Sequence, residues 1–398
     1  MPTEPANSAT TEASATSESS EALATGATAP DAEAERRAIY SRCERSLGGH
    51  GVANPKAVLA ALAEATQPDE QADRYGAGEL IERFEREIAH LLGKEAAVFM
   101  PSGTMAQQIA LRIWSERKGC HTVAFHPTCH LEIHEEKAYQ ALHGLMGRLV
   151  GNPRQVITLD DLKAIREPLA ALLLELPLRE IGGQLPAWDD LAAQSAWARE
   201  RNIAMHMDGA RLWESGPYYG RPYAEIAALF DTVYVSFYKG IGGISGAALA
   251  GPADFIGEAR VWQRRHGGNL MQLYPYVISA REGLRLRLPR FSQYHERALR
   301  IAQALSAVPG VVVKPNPPQT NMMHVYLRGE PDRLKAAALD IAREEKVALF
   351  SWLMPTDLPE YWMFELSVGD AAEALTDEEI TAYFRRVMQM AEAPAEAR

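Results

Sequence analysis

The chain has 398 residues, of which 47% are apolar and 23% charged, and its formal net charge at pH 7 is -11. These proportions are those of an ordinary globular protein with a large core. The negative charge argues against a general nucleic-acid binder, because such binding needs a cationic surface.

The cysteines and the hydropathy pattern limit the cellular setting. Cys43, Cys120 and Cys129 are odd in number and form no C-x-x-C pair, which argues against a disulfide framework and against a zinc knuckle. No stretch reaches the roughly 18 apolar residues that span a bilayer, and the N-terminus lacks the basic and apolar regions of a signal peptide. We therefore expect a cytoplasmic protein that does not bind membranes.

Residues 1–35 are dominated by Ala, Ser, Thr and Glu, with almost no large apolar side chain. Such a segment cannot bury enough surface to offset the entropy that it would lose on ordering. We therefore predict a disordered tail over residues 1–35.

Helical and strand patterns alternate from residue 36 to residue 272. A helical stripe of apolar residues runs through 78–94, and short apolar runs follow at 96–100, 122–127, 171–177, 203–210, 232–240 and 246–251. Strands that alternate with helices predict βαβ units and a mostly parallel sheet, with ligands bound at the carboxyl ends of its strands. We expect a large α/β domain over residues 36–272, with helices on both faces of the sheet.

The pattern changes after residue 272. A long helical region covers 274–307, and strand patterns at 311–315, 322–329 and 360–368 alternate with helical patterns at 331–346 and 377–390. We predict a smaller α+β domain over residues 273–398.

Lys239 ends one of the apolar runs and precedes the glycine-rich segment GIGGISG. Burial would lower the pKa of this lysine and help it to form a Schiff base as an amine nucleophile. A surface lysine in a loop is the alternative interpretation, so its companions in the sequence decide between the two.

Three other segments lie at the ends of predicted strands. In HMDGAR, Asp208 could hold the protonated ring nitrogen of pyridoxal phosphate, although a salt-bridged turn would have the same sequence. In PSGT, residues 101–104 could bind a phosphate at a helix N-terminus, although Ser102 could be a plain N-cap.

The segment CHLEIHEE, residues 129–136, could place one imidazole flat on a planar cofactor. His130, His134 and Glu135 could instead bind a metal, but no further ligand stands at zinc-site spacing and we expect no metal. A phosphate turn, a stacking histidine, an acid and a lysine, in this order, are far more specific together than any one of them. Together they predict bound pyridoxal 5'-phosphate.

With these motifs, the chain resembles the threonine aldolase and aromatic amino acid β-eliminating lyase family of aspartate-aminotransferase-like (fold type I) pyridoxal-phosphate enzymes. The resemblance covers most of the chain and also rests on RYGAGELIERFEREIAHLLGKEAAVFMPSGTMAQ, ERNIAMHMDGARLW, VYVSFYKGIGG, DFIGEARVWQRRHGG and QTNMMHV. It implies the fold type I architecture and a homodimer or homotetramer with active sites at subunit interfaces.

The resemblance also implies roles for individual residues. Lys239 would hold the cofactor covalently, Asp208 would pair with its pyridine nitrogen, and His130 would stack on its ring. Its phosphate would be bound by the segment of Ser102, Gly103 and Thr104.

Three further roles follow from the same resemblance. Arg211 would lie beside the phenolic oxygen of the cofactor and the carboxylate of the substrate. Tyr75 would bind substrate by reaching toward the site of a neighbouring subunit. Glu135 matches an acid of the family that stands five residues beyond the stacking histidine.

The chain departs from the family pattern in three places. The N-terminal Arg-Ser-Asp-Thr segment of the family is here RSLGGHG, which lacks the aspartate, and Met271 stands where an arginine is usual. Phe364 is expected at the place of the arginine that grips the substrate carboxylate, and no lysine or arginine occurs from residue 347 to 384. Possible substitutes are Arg211, Arg179, Arg45 and His50.

The resemblance predicts an aldolase-type lyase that cleaves the Cα–Cβ bond of a β-hydroxy-α-amino acid into glycine and an aldehyde. His130, or a water that it positions, would take the proton of the β-hydroxyl group. A bulky or aromatic aldehyde would suit the aromatic residues near the C-terminal strand, although these could simply be core: Trp352, Tyr361, Trp362 and Phe364. Two alternatives stay open, namely another reaction of the same cofactor, such as β-elimination or transamination, and a cofactor-binding protein that has lost catalysis.

Overall fold

The computed structural model of the chain describes residues 29–51 and 54–392. Its strands are β1 Arg45–Ser46, β2 Ala96–Met100, β3 Thr122–Phe125, β4 Met146–Leu149, β5 Ala171–Glu175, β6 Ala204–Gly209, β7 Thr232–Ser236, β8 Ala247–Gly251, β9 Val311–Lys314, β10 Met322–Arg328, β11 Val347–Ala348, β12 Met354–Pro355 and β13 Tyr361–Ser367.

The α-helices are α1 Ala29–Tyr40, α2 Pro55–Ala65, α3 Glu79–Leu91, α4 Gly103–Lys118, α5 His130–Ile133, α6 Ala138–His143, α7 Leu159–Lys163, α8 Trp188–Glu200, α9 Leu212–Tyr219, α10 Tyr223–Ala227, α11 Ala253–Arg265, α12 Tyr274–Arg287, α13 Phe291–Ser306, α14 Pro331–Glu345 and α15 Asp377–Glu392. Short 3₁₀ turns cover Arg179–Ile181, Leu288–Arg290 and Asp370–Ala374.

A seven-stranded sheet forms the centre of the molecule, with the strand order β2-β8-β7-β6-β5-β3-β4. Strands β7, β6, β5, β3 and β4 pair in parallel, whereas β8 runs antiparallel to both of its neighbours, β2 and β7. The predicted α/β architecture with a mostly parallel sheet is confirmed. The edge strand β4 was not predicted, because three of its four residues are exposed and it therefore lacks an apolar run.

Each central strand is buried on both faces. Leu172, Met207 and Val233 belong to a core with helices α3, α8 and α12, whereas Leu173 and Tyr234 belong to the opposite core with α4 and α11. Such strands are covered on both sides by helices and read as continuous apolar runs. For this reason they could be recognised from the sequence.

The C-terminal part contains an antiparallel sheet with the order β12-β13-β10-β9, packed with α13, α14 and α15 around a third core. Helix α12 and the first residues of α13, Phe291 and Tyr294, pack into the core of the large sheet, whereas Ala298 and Ile301 pack into the C-terminal core. This packing favours a division between the two units within α13 over the predicted division at residue 273.

Part of the predicted disordered tail is helical. Helix α1 begins at Ala29, so the prediction was wrong for residues 29–35, while residues 1–28 lie outside the described part. Glu33 pairs with Arg36 and Arg37 one turn later, and Tyr40 donates a hydrogen bond to the carbonyl oxygen of Phe350 at 2.6 Å. These contacts support a segment that has few apolar side chains of its own.

No helix among residues 29–51 and 54–392 is both long enough and apolar enough to cross a membrane.

Phe364 on β13 belongs to the C-terminal core. Its side chain is buried, and its ring stacks on those of Phe350 and Phe384, with centroid distances of 4.9 and 6.1 Å. Alternation along β13 turns the next residue, Glu365, to the opposite face of the strand. The side chain at this position thus packs into the C-terminal core, and the match of Phe364 to the arginine position of the family stays a prediction.

We predict that Phe364→Ala lowers the free energy of unfolding by about 3–5 kcal/mol, because it empties a packed aromatic site. Denaturant unfolding measures this loss. Leu299→Ala, on the exposed side of α13, is the control and should change the value by less than about 0.5 kcal/mol. Equal losses in the two variants would contradict the core assignment.

Candidate active site

The carboxyl edge of the large sheet brings the predicted site residues together. Asp208 lies on β6, Lys239 follows β7, and His130 opens helix α5 just after β3. Together with Thr104 and Arg211 these side chains line one cavity. The interpretation of Lys239 as a surface lysine is thereby excluded.

Asp208 is a buried carboxylate held by neutral donors. It accepts hydrogen bonds from Nε2 of Gln107 and from the backbone N–H of Ala210, the latter at 3.1 Å. Within the described residues it forms no ion pair with a lysine or arginine, and burial raises its pKa. A cationic group in the cavity would offset the cost of this buried charge.

A chain of buried hydrogen bonds orients the donor that serves Asp208. Nε1–H of Trp114 donates to Oγ1 of Thr232 at 2.9 Å, and this hydroxyl lies 2.9 Å from Nδ1 of His206. Nε2 of His206 lies 3.0 Å from Oε1 of Gln107. Burial lowers the pKa of His206 to about 3, so its ring is neutral and carries one N–H. With Oε1 of Gln107 next to His206, the amide N–H groups of Gln107 face Asp208.

Lys239 lies in a strongly charged environment. Burial lowers the pKa of its amine, and the guanidinium groups of Arg211 and Arg179 lower it further. The turn that carries it is closed by a hydrogen bond from the backbone N–H of Gly243 to the carbonyl oxygen of Phe237, at 2.7 Å. A Cβ atom on Gly243 would lie 2.7 Å from that same oxygen, so this position requires glycine.

The loop around Lys239 is also held by residues from distant parts of the chain. Nε2 of His50 donates to the carbonyl oxygen of Gly240 at 2.9 Å, and Nδ1 of the same ring lies 2.9 Å from Oδ2 of Asp370. Asp370 further pairs with Arg287, Arg290 and Tyr294. His50 is thereby a support for the lysine loop.

His130 and Glu135 form a pair at the mouth of the cavity. Nδ1 of His130 lies 2.9 Å from Oε1 of Glu135, and the other carboxylate oxygen accepts a hydrogen bond from Gln108 at 2.8 Å. His134 points elsewhere, with its Nε2 atom 2.8 Å from Oε1 of Glu180. Among the described residues no group of three or more His, Cys, Asp or Glu side chains could hold a metal ion.

The N-terminus of α4 faces the same cavity. Oγ of Ser102 accepts a hydrogen bond from the backbone N–H of Met105 at 3.2 Å, so this side chain is the N-cap of the helix. A Cβ atom on Gly103 would lie 1.9 Å from the hydroxyl of Tyr234, so the tyrosine occupies the space that a side chain would need. Thr104 lines the cavity, where free backbone donors and the helix dipole favour an anion.

Other predicted site residues lie outside this cavity. Tyr75 is 54% exposed, and its φ angle is 54°. Its backbone N–H donates a hydrogen bond to the carbonyl oxygen of Met271, a residue whose side chain is also exposed. Arg45 pairs with Glu379 at 2.7 Å and with the hydroxyl of Tyr383. Neither Tyr75 nor Arg45 reaches Lys239 within this single chain.

Two acids near Lys239 were not predicted from the sequence. Glu175 at the end of β5 is the register partner of Asp208, and burial followed by the charge of Asp208 raises its pKa to about 8. Glu365 pairs with Arg179 at 2.7 Å and lies 3.5 Å from Arg211. Glu175 could have been found from its place at a strand end, whereas the position of Glu365 depends on contacts between distant segments.

The chemistry of these residues fits pyridoxal 5'-phosphate. The N-terminus of α4 suits an anion, the buried carboxylate of Asp208 suits a protonated ring nitrogen, and the amine of Lys239 suits an aldehyde. His130 lies at the same cavity with an aromatic face that a planar ring could stack upon.

Comparisons with known proteins agree with this chemistry. The family model described as beta-eliminating lyase matches residues 52–328. A candidate aromatic amino acid beta-eliminating lyase/threonine aldolase from Exiguobacterium sp. 255-15 is 45% identical, with a TM-score of 0.85, over 89% of this chain and 99% of that one.

A candidate L-allo-threonine aldolase from Listeria monocytogenes EGD-E is 44% identical, also with a TM-score of 0.85, over 89% of this chain and 98% of that one. The low-specificity L-threonine aldolase 1 of Arabidopsis thaliana is 27% identical over 273 residues, which are 66% of this chain and 76% of that protein. The resemblance inferred from the motifs is thereby confirmed, and the chain belongs to the beta-eliminating lyase family.

Proposed function

We propose that this protein is a pyridoxal-phosphate-dependent lyase of threonine aldolase type, which cleaves a β-hydroxy-α-amino acid into glycine and an aldehyde. The observation that carries the proposal is the single cavity lined by Lys239, Asp208, His130, Thr104 and Arg211. The names of the relatives from Listeria and Arabidopsis support L-allo-threonine and L-threonine as substrates.

Four parts of the chain would hold the cofactor. Lys239 would bind its aldehyde carbon, Asp208 its ring nitrogen, His130 the face of its ring, and the N-terminal turn of α4, with Gly103 and Thr104, its phosphate. When bound, pyridoxal phosphate supplies an electron sink for the electron pair that the broken Cα–Cβ bond leaves on Cα.

The pair of His130 and Glu135 is suited to remove the proton of the β-hydroxyl group. With Nδ1–H donated to Glu135, Nε2 of His130 is left as a proton acceptor. As this nitrogen, or a water that it positions, takes the hydroxyl proton, a carbonyl group forms at Cβ and the Cα–Cβ bond breaks. Gln108 holds the other oxygen of Glu135, so the imidazole keeps one orientation.

The preference for a bulky or aromatic aldehyde stays a proposal. Phe364 lines the same groove as Trp352 but is only 2% exposed, so it offers little surface to an aldehyde group. Trp352 is 42% exposed and lines a groove together with Ser46 and Glu365, so it is the aromatic residue best placed to meet a large aldehyde group.

We also propose a cytoplasmic homodimer or homotetramer. The exposed side chain of Tyr75, on a loop away from the cavity of its own chain, supports a role in the site of a neighbouring subunit. The amino-acid substrate would then meet residues of two copies.

The decisive assay incubates purified holoenzyme with small and aromatic β-hydroxy amino acids and measures glycine, aldehyde and keto acid. Glycine and aldehyde in equal amounts are expected. Keto acid with ammonia would instead identify β-elimination. Cofactor absorbance without turnover of any substrate would favour a binding protein.

We predict that Lys239→Ala loses the absorbance band of the covalently bound cofactor and lowers kcat by at least about a hundredfold, because no other amine replaces the nucleophile. Absorbance spectra and aldehyde release measure the two effects. Lys314→Ala is the control, because Lys314 lies over the ring of Tyr326. This variant should keep both the absorbance band and the wild-type kcat. A retained band in Lys239→Ala would refute the covalent role.

We predict that Glu135→Gln lowers kcat by about 10- to 100-fold, while the cofactor band persists, because the neutral amide supports the imidazolium of His130 poorly. Steady-state kinetics of aldehyde release measure kcat, and absorbance spectra follow the cofactor band. A wild-type kcat in Glu135→Gln would contradict the supporting role of Glu135 toward His130.

We predict that the rate of cofactor loading into apoenzyme rises with pH around a midpoint below the usual lysine value of about 10.4. The reason is that only neutral Lys239 attacks the aldehyde, and burial together with Arg211 and Arg179 lowers its pKa. Arg211→Gln removes one of these cations and should move the midpoint to higher pH. Stopped-flow absorbance measures the midpoint, and Arg45→Gln, the control, should leave it in place.

A further inference from the structure

Two guanidinium groups share the carboxylate of Glu365 beside Lys239. Nε of Arg179 lies 2.7 Å from Oε2 of Glu365, and Nη2 of Arg211 lies 3.5 Å from Oε1 of the same side chain. Each carboxylate oxygen thus faces a different arginine. Two guanidinium groups therefore flank one carboxylate, that of Glu365.

Both arginines have capacity left for a second carboxylate. A guanidinium has five N–H donors, and the described contacts of the Arg179 side chain engage Nε with Glu365 and Nη1 with Glu180 and His134. The side chain of Arg211 is 11% exposed, and its ion contacts within the described residues are at 3.5 and 3.9 Å, longer than a hydrogen bond. A buried cation whose ion pairs are this long favours an additional anionic ligand.

The backbone that carries Arg179 is fixed on two sides. Its N–H donates to Oε1 of Glu175 at 3.0 Å. The following turn packs tightly on the C-terminal unit, since a Cβ atom on Gly182 would lie 2.5 Å from the carbonyl oxygen of Lys314. The guanidinium therefore starts from a rigid base and needs little ordering when a ligand binds.

The location suits an α-carboxylate. In an α-amino acid the carboxyl carbon is two bonds from the amine nitrogen, and this amine must reach the place where Lys239 holds the cofactor. Arg211 lines the cavity of Lys239, and Arg179 pairs with the same Glu365 carboxylate that faces Arg211, so both guanidinium groups lie close to that place.

The other candidates for carboxylate binding are engaged elsewhere. Arg45 pairs with Glu379, and His50 is bonded to Asp370 and to the carbonyl oxygen of Gly240. The C-terminal stretch from residue 347 to 384 contains no lysine or arginine.

We propose that Arg179, together with Arg211, binds the α-carboxylate of the substrate, and that Glu365 is the positioning residue that directs Arg179 toward it. The proposal rests on the proposed function only in taking an amino acid as the ligand. It moves the carboxylate-binding guanidinium from the C-terminal unit to the turn after β5.

The test uses holoenzyme titrated with glycine and with methylamine, which is an amine without a carboxylate, while the cofactor spectrum is followed. Arg179→Gln should raise the Kd of glycine by about 10- to 100-fold, as expected for the loss of a charge-assisted pair. The Kd of methylamine should stay within about twofold of the wild-type value. In turnover, KM should rise much more than kcat falls.

Two further variants complete the test. Glu365→Gln should also raise the Kd of glycine, but by less than Arg179→Gln does. Glu365→Asp should raise this Kd less than Glu365→Gln, because it keeps the negative charge. Arg45→Gln is the control, because Arg45 pairs with Glu379 and does not line the cavity of Lys239. This variant should bind glycine with the affinity of the wild type.

The proposal is overturned if Arg179→Gln binds glycine with wild-type affinity. It is also overturned if the variant loses affinity for glycine and for methylamine to the same extent. Should Arg179→Gln fail to retain cofactor, Arg179→Lys keeps the charge but not the paired donors, and wild-type glycine affinity in that variant overturns the proposal as well. A wild-type enzyme that binds glycine but releases no aldehyde would contradict the proposed function alone, since the comparison of the two amines needs no turnover.

Discussion

The buried carboxylate of Asp208 is the constraint on which the site depends. A negative charge enclosed by a parallel sheet is costly unless donors or a cation compensate it. Here the hydrogen-bond chain from Trp114 through Thr232, His206 and Gln107 supplies one oriented donor. That donor holds the carboxylate in place without neutralising it, so the remaining charge is available to a cationic ligand.

The other charged side chains around the cavity also lie close to groups of opposite sign. Lys239, Arg179 and Arg211 are accompanied by Glu175, Glu214 and Glu365, of which Glu214 is 2% exposed. Burial raises the pKa of Glu214 to about 7 and that of Glu175 to about 8, so these acids hold part of their protons at neutral pH. Closely packed groups of both signs make the protonation state of each one sensitive to what enters the cavity.

Much of this could be predicted from the sequence, for identifiable reasons. The strands β2, β5 and β7 begin at the predicted residue because strands buried on both faces read as unbroken apolar runs. Lys239, Asp208 and His130 stand at strand ends, and the ends of parallel strands meet at one edge. The site could therefore be predicted as a set, although no single motif was sufficient.

The residues that escaped prediction depend on tertiary contacts. Glu365 differs from Phe364 by one position on β13, and only the strand's actual orientation decides which of the two faces the core. Its partner Arg179 was one of four possible substitutes named from the sequence, but no motif distinguishes it from the other three.

The support of Lys239 by His50 and Asp370 has a consequence for biosynthesis. The loop at residues 239–243 bonds to a segment made early, at residue 50, which in turn bonds to a segment made late, at residue 370. During translation the support behind the loop is therefore complete only when more than nine-tenths of the 398 residues have been polymerised. A nascent chain stalled before that point would carry Lys239 but not the Asp370 side chain that holds His50 behind its loop.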